Sequence, residues 1–281
     1  MASTTALRCD LEYEIFSPSH FMMQIQCAHS PDQYVAQEML TLSEGVQVRP
    51  SWDAGTGNRV FRFDFGPGLL KVRYDARVDM LRLPIDTSLP EVDVTDVPDA
   101  VVPYLMPSRF CESDTLSADA QSLFGQWPRG YQRVAAICQW IRDNIEYRIG
   151  TSGATTSAMD VFRDRAGVCR DFAHLHIAFC RALNIPARLV VGYVNFAEPP
   201  QDFHAVTEVW LGGRWVMFDP TALAPVEEVV RVGTGRDAKD MAFATIYGAM
   251  QMTYMHIQVN ADGSPPLDNP DPVQATVRRA T

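Results

Sequence analysis

The hydrophobic pattern of this 281-residue chain changes period once, and prolines mark the change. Up to about residue 83 the apolar residues come in short, partly alternating runs: LEYEIF, HFMMQIQ, NRVFRFDF and LLKVRYDARVDM. Turn-like SPSH, WDAGTGN and FGPG separate them. Alternation rich in aromatic and β-branched residues is a strand pattern. Pro84, Pro90, Pro98, Pro103 and Pro107 then punctuate an acidic stretch. Proline has no N–H to donate and blocks helix interiors and central strands, so a surface linker is predicted. From about residue 126 the spacing turns helical, with Val134, Ile137, Cys138, Ile141 and Ile145 on one stripe. The chain therefore reads as α+β. A small β-sandwich is expected over 1–83, a linker over 84–125, a mixed core over 126–260, and a loose tail over 261–281.

Composition narrows the function. The net charge is -10 and no Lys/Arg-rich run occurs, which argues against a nucleic-acid partner. No run of about 18 apolar residues predicts a membrane span. The opening MASTTALRCDLEYEIF lacks a basic segment followed by an apolar one, so no signal peptide is expected. The six cysteines, Cys9, Cys27, Cys111, Cys138, Cys169 and Cys180, form no C-x-x-C pair. Free thiols in a cytoplasmic protein, with no metal or organic cofactor, are the plain expectation.

The stretch GVCRDFAHLHIAFC, residues 167–180, opens an amphipathic helical pattern with Phe172, Leu175, His176, Phe179 and Leu183 on one face. Cys169 stands at its first turn. Free N–H groups and the positive end of the helix dipole favour a thiolate there. Cys180 and Cys138 fall on apolar stripes and read as core residues. A structural role for Cys169 is the competing reading.

Gly212-Gly213 between AVTEVWL and RWVMFD is a two-residue hairpin signal. With those glycines as the turn, Leu211 lies opposite Arg214 and Val206 opposite Asp219. His204 shares a face with Val206, so His204 and Asp219 become diagonal neighbours. A histidine beside a carboxylate is what a cysteine nucleophile needs: the imidazole takes the thiol proton and the carboxylate supports the imidazolium. Singly, each of the two reads more readily as a structural residue, His204 at a strand end and Asp219 in a turn. His174 and His176, two apart on a helix, do not face each other and make a poor metal pair. His176 reads as a hydrogen-bonded core residue, and His20, His29 and His256 have no identifiable partners.

These residues resemble a known family. Gly167-Val168-Cys169-Arg170-Asp171-Phe172, Arg181 to Arg188, Val191-Gly192-Tyr193, His204-Ala205 through Trp210, and Trp215 through Thr221 are similar to the core of the transglutaminase-like superfamily. The likeness is strongest to bacterial transglutaminase-like cysteine peptidases that carry an N-terminal β domain. The resemblance implies a papain-like core in which a helix bearing the nucleophile packs on an antiparallel sheet. It also implies a Cys169, His204, Asp219 catalytic triad. Two positions depart from the family's usual pattern: Val206 stands where Trp is common, and Arg170 where Gln is common.

The implied chemistry is thiol-dependent amide hydrolysis of a peptide, protein or small amide through a thioester, with the Cys169 backbone N–H as one oxyanion donor. Acyl transfer to an amine shares every step through the thioester. A non-catalytic binding module is the third reading. Neither a second oxyanion donor nor the oligomeric state is legible.

Overall fold

The computed structural model describes residues 2–81 and 84–266. The first half is all strand: β1 (Ala2–Ile15), β2 (Ser19–Met23), β3 (Gln33–Leu42), β4 (Arg49–Trp52), β5 (Arg59–Phe65) and β6 (Gly68–Leu81). The second half contains α1 (Ser117–Phe124), α2 (Tyr131–Asn144), β7 (Glu146–Tyr147), α3 (Ala158–Asp164), β8 (Ala166–Gly167), α4 (Cys169–Ala182), β9 (Ala187–Tyr193), β10 (His204–Leu211), β11 (Arg214–Phe218), β12 (Val230–Gly235), β13 (Ala244–Tyr247) and β14 (Met250–Asn260). The fold is α+β with antiparallel sheets.

Two four-stranded sheets, ordered β14-β1-β6-β3 and β13-β2-β5-β4, form the expected sandwich. Alternation decides which side faces in. Leu7, Cys9, Leu11 and Tyr13 of β1 and Leu70, Val72 and Tyr74 of β6 are all buried, and their sequence neighbours face out. They meet Phe21, Phe61 and Phe63 of the second sheet; Tyr13 lies edge-on to Phe21 at 5.6 Å, and Phe21 stacks on Phe63 at 4.9 Å.

Two boundaries differ from the sequence expectation. β13 and β14 pair with β2 and β1, so the chain returns to the sandwich after the mixed core instead of ending that core at residue 260. Their apolar residues fill edge positions of a sheet begun some 200 residues earlier, a long-range pairing that no local pattern announces. The stretch expected as linker also ends in α1, which buries Ala120 and Phe124; Phe124 packs edge-on against Phe179 of α4 at 5.2 Å. Of the tail expected over 261–281, residues 267–281 lie outside the described residues.

The mixed core is the sheet β11-β10-β9-β12 with α4 against it. α4 keeps the amphipathic spacing but buries both faces. Every residue from Asp171 to Arg181 is buried, because the sheet covers one face and α1, α2 and α3 cover the rest. The polar stripe of Asp171, His174 and Arg181 is enclosed with the apolar one. Its polar residues are satisfied internally. Arg181 donates to the carbonyls of Ala187, Met106 and Arg236 and to Ser108 Oγ. The helix ends where Asn184 turns left-handed (φ 61) just before Pro186.

Candidate active site

Cys169 is the first residue of α4, and three local features hold it there. The Asp171 carboxylate reaches back to accept the Val168 N–H at 2.8 Å, an acidic cap on the helix start. Gly167 precedes it, and a Cβ at that position would meet Asp171 Cβ at 2.7 Å. β8 also pairs in parallel with β7, placing Tyr147 beside Gly167. Cys169 is partly accessible, and the other five cysteines are buried. Its sulfur lies 3.9 Å from the Phe203 carbonyl, at the entry to β10.

His204 is the first residue of β10 and is fully buried. The hairpin register is the one reckoned from Gly212-Gly213: Leu211 opposes Arg214, and Thr207 opposes Phe218. Both glycines have positive φ (55 and 81), as a primed two-residue turn requires. The register carries Asp219 to His204, whose Nε2 meets Asp219 Oδ2 at 2.9 Å. Nδ1 has no completed hydrogen bond. The Cys169 thiol acts on this ring without reaching bonding geometry.

The electrostatics are those of an ion-pair site. Burial disfavours a charged His204, but the bonds and charges of Asp219 and Cys169 outweigh it and push the imidazole up to about 9. Burial likewise works against an Asp219 carboxylate. His204 and the Thr221 hydroxyl and N–H, at 2.6 and 2.8 Å, still hold its pKa below the ordinary value.

Tyr147 is the neighbour that sequence reasoning missed. Burial, and next the charge of Cys169, drive its phenol pKa far up, and the β7–β8 pairing sets Tyr147 opposite Gly167, two residues before Cys169. A single tyrosine before a polar loop carries no spacing signal. The two departures from the family pattern leave this arrangement intact. Val206 is packed with Val190, Val194, Phe196 and Val229. Arg170 turns aside to donate to the Gly153 carbonyl at 2.8 Å and to Asp171 at 3.2 Å.

A second thiol–imidazole contact lies deeper, where Cys138 Sγ is 3.2 Å from His176 Nε2. The Thr207 hydroxyl donates to the Phe218 carbonyl and accepts from His176 Nδ1–H at 2.8 Å, which leaves Nε2 as an acceptor for the Cys138 S–H. Cys138 is 3% exposed and His176 0%, so no substrate reaches this pair. Burial pushes the Cys138 pKa well up and that of His176 down to about 4. The pair is core, as expected for both residues and for Cys180. His174 stacks on Phe110 at 5.2 Å and accepts from the Ala238 N–H. His20, which had no partner in the sequence reading, has one: Asp64, at 2.6 Å. Among the described residues no His, Cys, Asp or Glu group has the geometry to hold a metal ion, and no helix is long and apolar enough to cross a membrane.

Residues 120–220 match the model of the transglutaminase-like superfamily core. A crystal structure of a "putative cysteine protease" from Cytophaga hutchinsonii superposes with a TM-score of 0.89 at 38% identity, covering 93% of this chain and 91% of that one. A Mycobacterium leprae protein, uncharacterized protein ML0607, is 32% identical over 56% of this chain and 57% of its own length. Uncharacterized protein Rv2569c of Mycobacterium tuberculosis is 36% identical over 36% of this chain and 37% of its own. The matched region thus spans little more than half the length of the first of these mycobacterial relatives, and less of the second.

Proposed function

Because this chain belongs to the transglutaminase-like superfamily, we propose that it is a thiol-dependent amide hydrolase, a cysteine peptidase or amidase acting through Cys169, His204 and Asp219. One observation carries the reading. An accessible cysteine at the start of a buried helix faces an imidazole whose far nitrogen is held by a carboxylate at 2.9 Å. The likeness to the Cytophaga hutchinsonii "putative cysteine protease" supports the same class.

In this reaction the Cys169 thiolate attacks the amide carbonyl carbon while His204 holds the thiol's proton. The C–N bond then breaks, and His204 passes the proton to the leaving amine, giving a thioester and a free amine. Water next attacks the thioester, giving up a proton to His204. The C–S bond breaks, the acid departs and the thiolate returns. Asp219 keeps the ring oriented and supports its charge throughout. The Cys169 N–H points to the carbonyl oxygen, and the hydroxyl of Tyr147, on the strand beside Gly167, supplies the second donor to the oxyanion.

The test is incubation of the full chain with a glutamine-containing peptide library and a labelled primary amine, read by mass spectrometry. Cleaved or deamidated peptides that vanish with Cys169→Ala are the expected result. Efficient amine incorporation with little hydrolysis would replace this reading with acyl transfer. No Cys169-dependent product from any amide would return the chain to a binding role.

A further inference from the structure

Two residues before His204, Asp202 presents a carboxylate that the triad chemistry does not use. Asp202 lies just ahead of β10, two residues before His204, and Phe203 between them stacks on Phe243 at 4.9 Å. The loop carrying it is tied down. Gln201 donates to the Val194 carbonyl at 2.7 Å and accepts from the Phe196 N–H at 3.3 Å, closing the segment between β9 and β10. Asp202 Oδ1 accepts the Phe203 N–H at 2.6 Å. Among the described residues Oδ2 makes no hydrogen bond or ion pair, and the residue is exposed.

The carboxylate nonetheless sits in a recess. Surrounding protein raises its pKa; the Phe203 N–H and the charge of His204 pull the other way. Its charge also acts on Tyr147. The Phe203 carbonyl lies 3.9 Å from the Cys169 sulfur, so Asp202, the residue before it, stands beside the same cleft, next to His204. Among the described residues, the one charged group acting on it is the His204 imidazole, which Asp219 already neutralises. With the thiolate formed, the site holds three negative groups, Cys169, Asp219 and Asp202, against one imidazolium and the Arg142 guanidinium, which touches Asp219 only at its backbone carbonyl, at 3.5 Å. An exposed carboxylate left over in that balance fits a cation arriving from outside.

We propose that Asp202 is a specificity residue that selects amides whose amine component carries a second, positively charged nitrogen. His204 returns its proton to the leaving amine, so the His204 side of the cleft is the amine side, and that is where Asp202 lies. The favoured substrate class is an acyl group joined to an amino acid or diamine with a free ammonium within a few bonds of the scissile nitrogen. The same carboxylate concentrates cationic amines beside the thioester. This inference rests on the proposed amide chemistry at Cys169, and its test has one arm that needs no turnover.

In that arm Cys169 of the full chain is modified with methanethiosulfonates of equal size bearing an ammonium, no charge or a sulfonate. The ratio of ammonium to neutral rate constants is expected to fall about two- to fivefold in Asp202→Asn, the range of a partly screened charge pair, and to recover in Asp202→Glu. In the second arm, kcat/KM is compared for paired peptide amides whose leaving amine does or does not carry an extra ammonium. The cationic-to-neutral ratio is expected to fall by a similar factor through KM. An unchanged ratio in the first arm overturns the placement of Asp202 at the cleft. A changed ratio in the first arm with no cationic preference in the second overturns the substrate class. If neither peptide is turned over although the first arm behaves as expected, the amide reading of Cys169 fails, and the substrate class fails with it.

Discussion

His204 and Asp219 stand on neighbouring strands of one hairpin with Nε2 and Oδ2 2.9 Å apart, which leaves Nδ1 as the free nitrogen on the Cys169 side. The bond commits the ring to one orientation. Asp219→Asn keeps the shape and removes the charge that supports imidazolium. Turnover is expected to fall about 100- to 10,000-fold, the range seen when the orienting carboxylate of such triads is lost. Steady-state kinetics on any substrate cleaved by the native chain checks this; a loss below fivefold would remove Asp219 from the triad.

The same pair sets a pH dependence of stability. The His204 pKa is raised from 6.5 to about 9, so its charged form stabilises the fold fully below 6.5, and this contribution is lost as pH rises through 9. The Asp219 pKa is lowered, so its contribution is present above 3.8 and is lost as pH falls through the lowered value. Melting temperatures of the native chain should decline between pH 6.5 and 9. In Asp219→Asn that decline should be visibly smaller. Parallel curves for the two would mean that His204 draws no support from Asp219.

Thiol reactivity separates Cys169 from the rest. Burial pushes Cys27 and Cys111 up to about 12 and raises Cys9, Cys138 and Cys180 as well. A thiol is reactive only as accessible thiolate. Iodoacetamide at neutral pH should therefore add one label per folded chain, at Cys169, as mapped by peptide mass spectrometry. Labelling of Cys111 or Cys9 ahead of Cys169 would count against the nucleophile assignment.

Gly192 of β9 pairs directly with His204. A Cβ there would lie 2.6 Å from the Val230 carbonyl oxygen and 2.8 Å from Val229 Cγ1, both on the β12 side. Backbone cannot yield as a side-chain tip can, so Gly192→Ala must push β12 away from β9. The cost is expected to be about 1–3 kcal/mol, as for overpacking elsewhere. Chemical denaturation measures it. Because His204 lies across the pair, turnover should fall as well, and a variant with native stability and activity would show that β12 moves freely.

Legibility in the sequence followed the range of the interaction. The hairpin was readable because Gly212-Gly213 fixes a register and strand period fixes a face; those two local facts bring Asp219 to His204. Cys169 was readable from its place at a helix start. The burial of α4 was not, since its enclosure by α1, α2 and α3 comes from elements far away in the chain. β3 escaped notice because most of its residues are exposed, so no apolar alternation marks it. β13 and β14 owe their place to partners at the opposite end of the chain. Tyr147 acts through a two-residue parallel pairing, too short to leave a pattern.

Glu208 ties the mixed core to the sandwich. It is 2% exposed and lies between two guanidinium groups, Arg188 at 2.6 Å and Arg231 at 2.9 Å. Arg188 is in turn held over the Trp215 ring at 4.1 Å. Arg231 reaches Asp32 at 2.7 Å, and its backbone N–H and carbonyl meet the Gln33 side chain at 2.8 and 2.9 Å, all from the sandwich side. Replacing Glu208 by Gln preserves size but leaves Arg188 without a counter-charge in a buried setting. Arg231 keeps Asp32. The expected loss is about 3 kcal/mol, the usual cost of stripping one partner from a buried pair. Glu208 lies four residues beyond His204 on β10, opposite Met217, and its side chain takes no part in the His204–Asp219 contact. Turnover at low temperature should therefore stay within about threefold of native while the urea midpoint drops. A drop in stability with a matching collapse of turnover would show that the two halves must stay locked for the Cys169 cleft to form. An unchanged midpoint would show that the desolvation cost of the network already cancels its attraction.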